Sequence, residues 1–219
     1  MTRTVNFVVA PFYHKNRLFD MNDPVSNRDD CLYPTCPLKT EMERRGFQCG
    51  TCDLIPPSAA DVVLYFDVPR DLPAEQDRSR SCLLLFENEI ILPRNWRLEH
   101  HARFHRVFTW HSDLLAKGGN YLPMRYAQRF PEKIEFGPIP TKLACLIASQ
   151  KGSRLPRELY SARKAAIEWF ERHHLEDFEF YGMGWDRPTS SPAGWEDDAF
   201  PGEQGSTRSV PGCRGCAPC

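Results

Sequence analysis

The sequence predicts an α/β protein with a parallel, Rossmann-like sheet in its first domain and a strand-helix-strand unit opening its second. Three observations predict it. Asp61-Val62-Val63-Leu64-Tyr65-Phe66 and Cys82-Leu83-Leu84-Leu85-Phe86 are short continuous apolar runs, the pattern of strands covered on both faces. Thr4 to Ala10 is a β-rich run at the start of the chain, as a first sheet strand would be. From Leu143 onward the apolar period changes from strand to helix and back to strand. Residues 1–138 are read as the first domain, 139–187 as a partial second domain and 188–219 as a disordered tail.

Taken in order, the segment from Pro11 to Pro34 is too polar and turn-rich for regular structure. Leu38 to Arg45 reads as a short helix, with Gly46 placed to stop it. Strands at 61–66 and 82–86 follow, then Val107-Phe108-Thr109-Trp110 as another. Asn120-Tyr121-Leu122-Pro123 leads towards a linker around Phe136 to Thr141, where Gly137, Pro138 and Pro140 cluster.

Leu143-Ala144-Cys145-Leu146-Ile147-Ala148 is expected to be a buried strand, and Ser149 to Ser153 a polar loop. Pro156 fits the first turn of the helix that follows. Leu159, Tyr160, Ala162, Ala166, Ile167, Trp169 and Phe170 recur at helical spacing between Glu158 and His173, giving one buried face. Phe178-Glu179-Phe180-Tyr181 alternates as a strand, which Gly182-Met183-Gly184 ends.

Two strands joined through a helix are expected to lie parallel, which puts the loop after the first at the carboxyl edge where ligands of open α/β sheets bind. Backbone N–H groups at the helix start, with Lys151, Arg154, Arg157 or Arg163, could meet a diphosphate there; a solvated face is the alternative. In the first domain, Glu87 and Glu89 follow the strand ending at Phe86. Spaced two apart, they could face a cleft on one side, as a general base requires, or cap the following turn.

His101 and His105 stand four apart, a metal-ligand spacing on a helix, but no third ligand accompanies them and surface or capping roles are expected. Cys31, Cys36, Cys49 and Cys52 contain one Cys-x-x-Cys pair, yet prolines and a helix interrupt a zinc-ribbon pattern. Cys82 and Cys145 lie within apolar runs and are expected in the core.

Lys142-Leu-Ala-Cys-Leu-Ile-Ala-Ser-Gln-Lys151, the stretch Glu158 to Glu171, and Phe178-Glu-Phe-Tyr-Gly-Met-Gly-Trp-Asp186 together resemble the first segment of the donor domain of family ten glycosyltransferases, the α-1,3/4-fucosyltransferases. The resemblance implies a GT-B fold and inverting transfer of fucose from GDP-fucose to a glycan hydroxyl, with no metal or other cofactor required. It carries the diphosphate contact to Arg163 in the Leu-Tyr-x-x-Arg pattern, with Arg157 as the substitute. Lys151 and Gln150 would complete the donor loop, Gln150 standing where the family usually has Asn. Glu87-Asn88-Glu89, followed by Pro93 and Asn95-Trp96, is similar to the family's acceptor-side motif, which makes Glu87 the first candidate for the base and Glu89 the second.

The net charge of −1 and the lack of a basic block argue against nucleic acid as a partner. No apolar run is long enough for a signal peptide or a membrane span, so a cytoplasmic location is expected, compatible with peripheral attachment at the inner membrane. From Arg187 onward, Pro, Gly, Ser and acidic residues dominate and apolar periodicity ends; Cys213, Cys216 and Cys219 lie there without a fourth ligand. The family's later donor-domain motifs are not found, so the expectation is a truncated transferase that is weakly active or inactive. The alternatives are a non-catalytic carbohydrate- or partner-binding remnant and a zinc-binding interaction module.

Overall fold

The structure is a computed structural model, which describes residues 2–126, 129–130, 132–134, 137, 139–156 and 158–185. The chain divides into two compact units, Met1–Glu132 and a second beginning at Lys133.

The first unit is a six-stranded, wholly parallel sheet of β1 (Arg3–Val8), β2 (Phe47–Thr51), β3 (Val62–Phe66), β4 (Ser81–Leu84), β5 (Arg106–Thr109) and β6 (Tyr121–Pro123). Their spatial order is β2-β1-β3-β4-β5-β6. The order reverses between β1 and β3, the switch point beside which open α/β sheets place their ligands. Helices α1 (Thr35–Arg44), α2 (Leu98–His101) and α3 (Ser112–Ala116) and several 3-10 turns make the crossovers.

Alternate residues of the apolar runs divide between two cores. Val63, Tyr65, Leu83, Leu85, Phe104 and Val107 pack together, and Val5, Phe7, Val9, Leu18 and Leu64 form a separate cluster. This accounts for the unbroken apolar runs at β3 and β4, because neither face of those strands meets water. The helix expected from Leu38 begins three residues earlier, at Thr35, whose buried hydroxyl donates to the carbonyls of Leu18 and Leu32. Gly46 stops the chain at φ +84, a conformation that glycine alone adopts freely, and its N–H donates to the Glu43 carbonyl.

Two strands escape the sequence reading. β2 mixes Gln48 and Gly50 with its apolar residues and lies at one edge of the sheet. β6, at the other edge, is the segment read as leading to a linker; its Pro123 is tolerated because an edge strand leaves one side unpaired.

The second unit holds β7 (Ala144–Ile147), α4 (Tyr160–His173) and β8 (Phe178–Tyr181), with β7 and β8 parallel as expected. Among the described residues, Ile167, Phe178 and Phe180 are its buried apolar residues, against which Ala144, Leu146, Phe170 and Trp185 pack. β7 is not buried as expected: α4 covers only the face of Ala144 and Leu146, while Cys145 is exposed and Ile147 is 70% exposed. Pro156 lies four residues before the helix rather than in its first turn. Gly182, at φ +141, passes so close to the Ala148 carbonyl that a Cβ would lie 1.9 Å from its oxygen. Among the described residues, no helix is long and apolar enough to cross a membrane. Arg157 and the proposed tail at 188–219, with its three cysteines, lie outside the described residues.

Candidate functional site

The carboxyl edge of the first sheet gathers groups from three successive strands. β4 ends at Leu84, so Glu87 and Glu89 lie beyond the strand in a bend and a turn, and the strand alternation expected to align them does not operate. Neither glutamate caps that turn. Asn88 does, its Oδ1 accepting from the N–H groups of Ile90 at 2.9 Å and Ile91 at 3.2 Å. The carboxylates of Glu87 and Glu89 form no hydrogen bond or ion pair among the described residues, and both residues are exposed.

Behind Glu87 stands Asp67, a residue the sequence did not single out. It follows β3 at φ +62, in the left-handed region that Asp tolerates better than most residues. One carboxylate oxygen, Oδ1, accepts from the Phe86 N–H at 2.7 Å, the Glu87 N–H at 3.1 Å and Asn95 Nδ2 at 2.6 Å. Burial pushes the Asp67 carboxyl above the ordinary aspartate value despite these donors. Desolvation, and then the nearby Asp67 charge, raises that of Glu87.

Asn95, fully buried, completes the clamp. Its Nδ2 also donates to the Glu87 carbonyl at 3.1 Å, and its Oδ1 accepts from the Val68 N–H at 2.8 Å. The ends of β3 and β4 are thus fastened through one side chain. The network continues to His101, which is buried rather than at the surface as expected. His101 Nε2 lies 2.7 Å from the Asn95 carbonyl, which can only accept, so Nε2 carries the proton. Nδ1 is then the acceptor for the Tyr121 hydroxyl at 2.9 Å. Desolvation lowers the His101 pKa and keeps the ring neutral. His105 is exposed and takes no part.

Aromatic surface adjoins Glu87. Trp110, just past β5, is 49% exposed, and its indole N–H donates to the Phe86 carbonyl at 3.2 Å. Trp96 packs edge-on to it, with ring centroids 6.1 Å apart. Tyr126, 47% exposed, sits edge-on to Phe86 at 5.5 Å. The sequence singles out neither Trp110 nor Tyr126 as a site residue; for Trp110 an aromatic directly after an apolar strand run is the available signal.

In the second unit, Gln150, Lys151, Ser153, Glu158, Lys164 and Trp185 line a recess of about 470 Å³. It brings together Lys151 and Gln150 of the expected donor residues. It does not include Arg163, whose guanidinium lies 5.6 Å from the centre of the Tyr160 ring. The helix start already holds an anion of its own. Glu158 accepts from the Tyr160 N–H at 2.5 Å and from the Ser161 N–H at 3.1 Å, and the Ser161 hydroxyl also donates to it. Those bonds, the Ser161 hydroxyl's foremost, lower the Glu158 pKa. A diphosphate at these N–H groups would have to displace that carboxylate.

Cys52 Sγ lies 3.4 Å from His14 Nε2, but no group of three His, Cys, Asp or Glu side chains arranged for a metal occurs among the described residues. Cys49 is buried, and burial pushes its thiol up to about 11; Cys82 is half-buried against the core, whereas Cys145, expected there too, is exposed. Comparison with protein-family models finds none that matches the sequence, and comparison with curated proteins finds no match either.

Proposed function

We propose that the chain is a glycosyltransferase of the inverting, GDP-fucose-dependent type, with the acceptor sugar seated at Glu87 and Trp110. The observation that carries this reading is the pairing of an unpartnered glutamate of raised pKa with an exposed indole fixed to the preceding residue's carbonyl. A flat aromatic with a polar edge offers an apolar platform to one face of a pyranose. A carboxylate of raised pKa is a better base towards the sugar hydroxyl. Glu87 takes the hydroxyl proton as that oxygen attacks the anomeric carbon of fucose from the face opposite GDP. The new C–O bond forms as the bond to the diphosphate breaks, and GDP leaves with the electron pair. Asp67 and Asn95 hold the Glu87 backbone in position. Lys151 in the second unit, with Arg163 as the resemblance has it, balances the charge on the leaving diphosphate.

The test is calorimetric titration of the full chain with GDP-fucose and with a panel of neutral oligosaccharides, together with measurement of GDP release. Glu87→Gln is expected to reduce release about a hundredfold or more while leaving both affinities unchanged. Lys151→Ala and Arg163→Ala, compared side by side, identify which cation meets the diphosphate. Oligosaccharide binding with release indifferent to Glu87 would make the chain a carbohydrate-binding module. Absence of binding to both ligands would refute the proposal.

A further inference from the structure

On the same carboxyl edge, the segments after β3 and β4 enclose a second cleft, of about 340 Å³, whose lining includes Arg70, Arg94, Arg97 and His100. Its charge is one-sided. Arg70, Arg94 and Arg97 contribute three guanidinium groups and no carboxylate lines the cleft. None of the three forms an ion pair or a side-chain hydrogen bond with a carboxylate among the described residues. Six other arginines of the first unit, Arg17, Arg28, Arg44, Arg45, Arg80 and Arg103, each pair with an Asp or Glu, whereas Arg78 donates to the Ala102 carbonyl and Arg3 and Arg129 lie over aromatic rings.

The walls of this cleft are set by the fold. Arg94 precedes Asn95 and Arg97 lies two residues after it; the Asn95 side chain is bonded to Val68 N–H and Asp67, and Arg70 stands two residues past Val68. His100 lies 3.1 Å through Nδ1 from the Arg94 carbonyl, which can only accept, so Nδ1–H donates and the other ring nitrogen is left open. Gathering three like charges is unfavourable unless a counter-charge joins them, and guanidinium forks match the oxygens of a carboxylate, sulfate or phosphate.

We infer that this cleft is a binding site for an oxyanion group, carboxylate, sulfate or phosphate, held by Arg70, Arg94 and Arg97. Because it opens beside the strand ends that carry Asp67 and Glu87, the oxyanion is a substituent of the acceptor. This last step rests on the transferase reading, and the anion site itself does not. The acceptor is then an acidic glycan, and the cleft selects it over its neutral counterpart.

The experiment titrates the full chain, at constant ionic strength set with chloride, with inorganic phosphate, sulfate and glucuronate, following amide and arginine Nε–H resonances. Saturable shifts are expected for at least one anion. Arg70→Ala and Arg97→Ala, both at exposed positions whose side chains form no hydrogen bond or ion pair among the described residues, should each weaken it about tenfold, and Arg97→Lys should recover only part of the loss. Which anion binds tightest separates a planar carboxylate from a tetrahedral sulfate or phosphate. Glu87→Gln should leave these titrations unchanged, so failure of the transferase reading and failure of the anion site give different results. Shifts that do not saturate, or that persist in the Arg70→Ala/Arg97→Ala double variant, would overturn the assignment.

Discussion

At the scale of single residues, Asp67 is the least exchangeable group on the sheet edge. Its native carboxyl binds a proton more readily than in the unfolded chain, since burial raises its pKa. Such a group contributes stability that is fully present below the unfolded value, about 4, and is lost as pH rises through the raised native value. Asp67→Asn removes that titration. The stability of the natural sequence relative to Asp67→Asn, from urea unfolding at steps between pH 4 and pH 8, is therefore expected to fall as pH rises; a flat difference would mean the carboxyl is not raised. Asn95 invites a different substitution. Asn95→Ala leaves the Val68 N–H and one side of Asp67 without their partner in a fully buried place, at a cost of about 2–3 kcal/mol in unfolding free energy. Both side chains were obscure in the sequence for one reason. Asp67 reads as a polar residue ending a strand and Asn95 as part of a short motif, and only the parallel pairing of β3 with β4 brings them within hydrogen-bond reach.

Elements differ in how openly the sequence declares them. β3, β4, β5 and α4 are legible because their apolar residues recur at a regular period, and β8 because it alternates, although the face expected to be buried in α4 is buried only at Ile167, with Leu159, Ala162 and Trp169 exposed. β2 and β6 are not, because an edge strand is specified by the neighbour it pairs with as much as by its own side chains. The turn after β4 shows the same limit at the site: the glutamates were legible, but that Asn88 caps the turn and frees them was not. α2 illustrates how a four-residue helix holds its place. It is too short to be stable by propensity, and His101 anchors it between the Asn95 carbonyl and the hydroxyl of Tyr121 on β6. Because the His101 pKa is lowered, the unfolded chain takes up a proton at this residue that the native state refuses. The contribution is fully present above the unfolded value of about 6.5 and is lost as pH falls from there towards the lowered native value. Acidification from pH 7 to pH 5 should thus weaken the natural sequence more than His101→Gln, read by urea midpoints at each pH; an equal loss in both would show that the ring is not held neutral.

The two units of the whole molecule rest on cores of very different size. Among the described residues, apolar clusters cover both faces of the six-stranded sheet, while around β7 and β8 three fully buried residues and one helix cover one face. Burial of apolar area is the main favourable term in folding, so the described part of the second unit has less with which to offset the entropy of ordering its chain. Opening of the second unit should therefore precede that of the first, and amide exchange should be faster in β7, α4 and β8 than in β1, β3 and β4. Ile167 tests the division directly because it is wholly buried between α4 and the small sheet. Ile167→Ala is expected to cost the second unit about 2–5 kcal/mol and to abolish protection there, while amides of Val5, Phe7, Val63 and Leu83 keep theirs. Hydrogen exchange followed residue by residue reads both units in one experiment. Loss of protection spreading into β1 and β3 would show that the two fold as one cooperative body. Confinement to residues beyond 133 would show that the sheet edge carrying Glu87, Asp67 and Trp110 is built by the first unit alone.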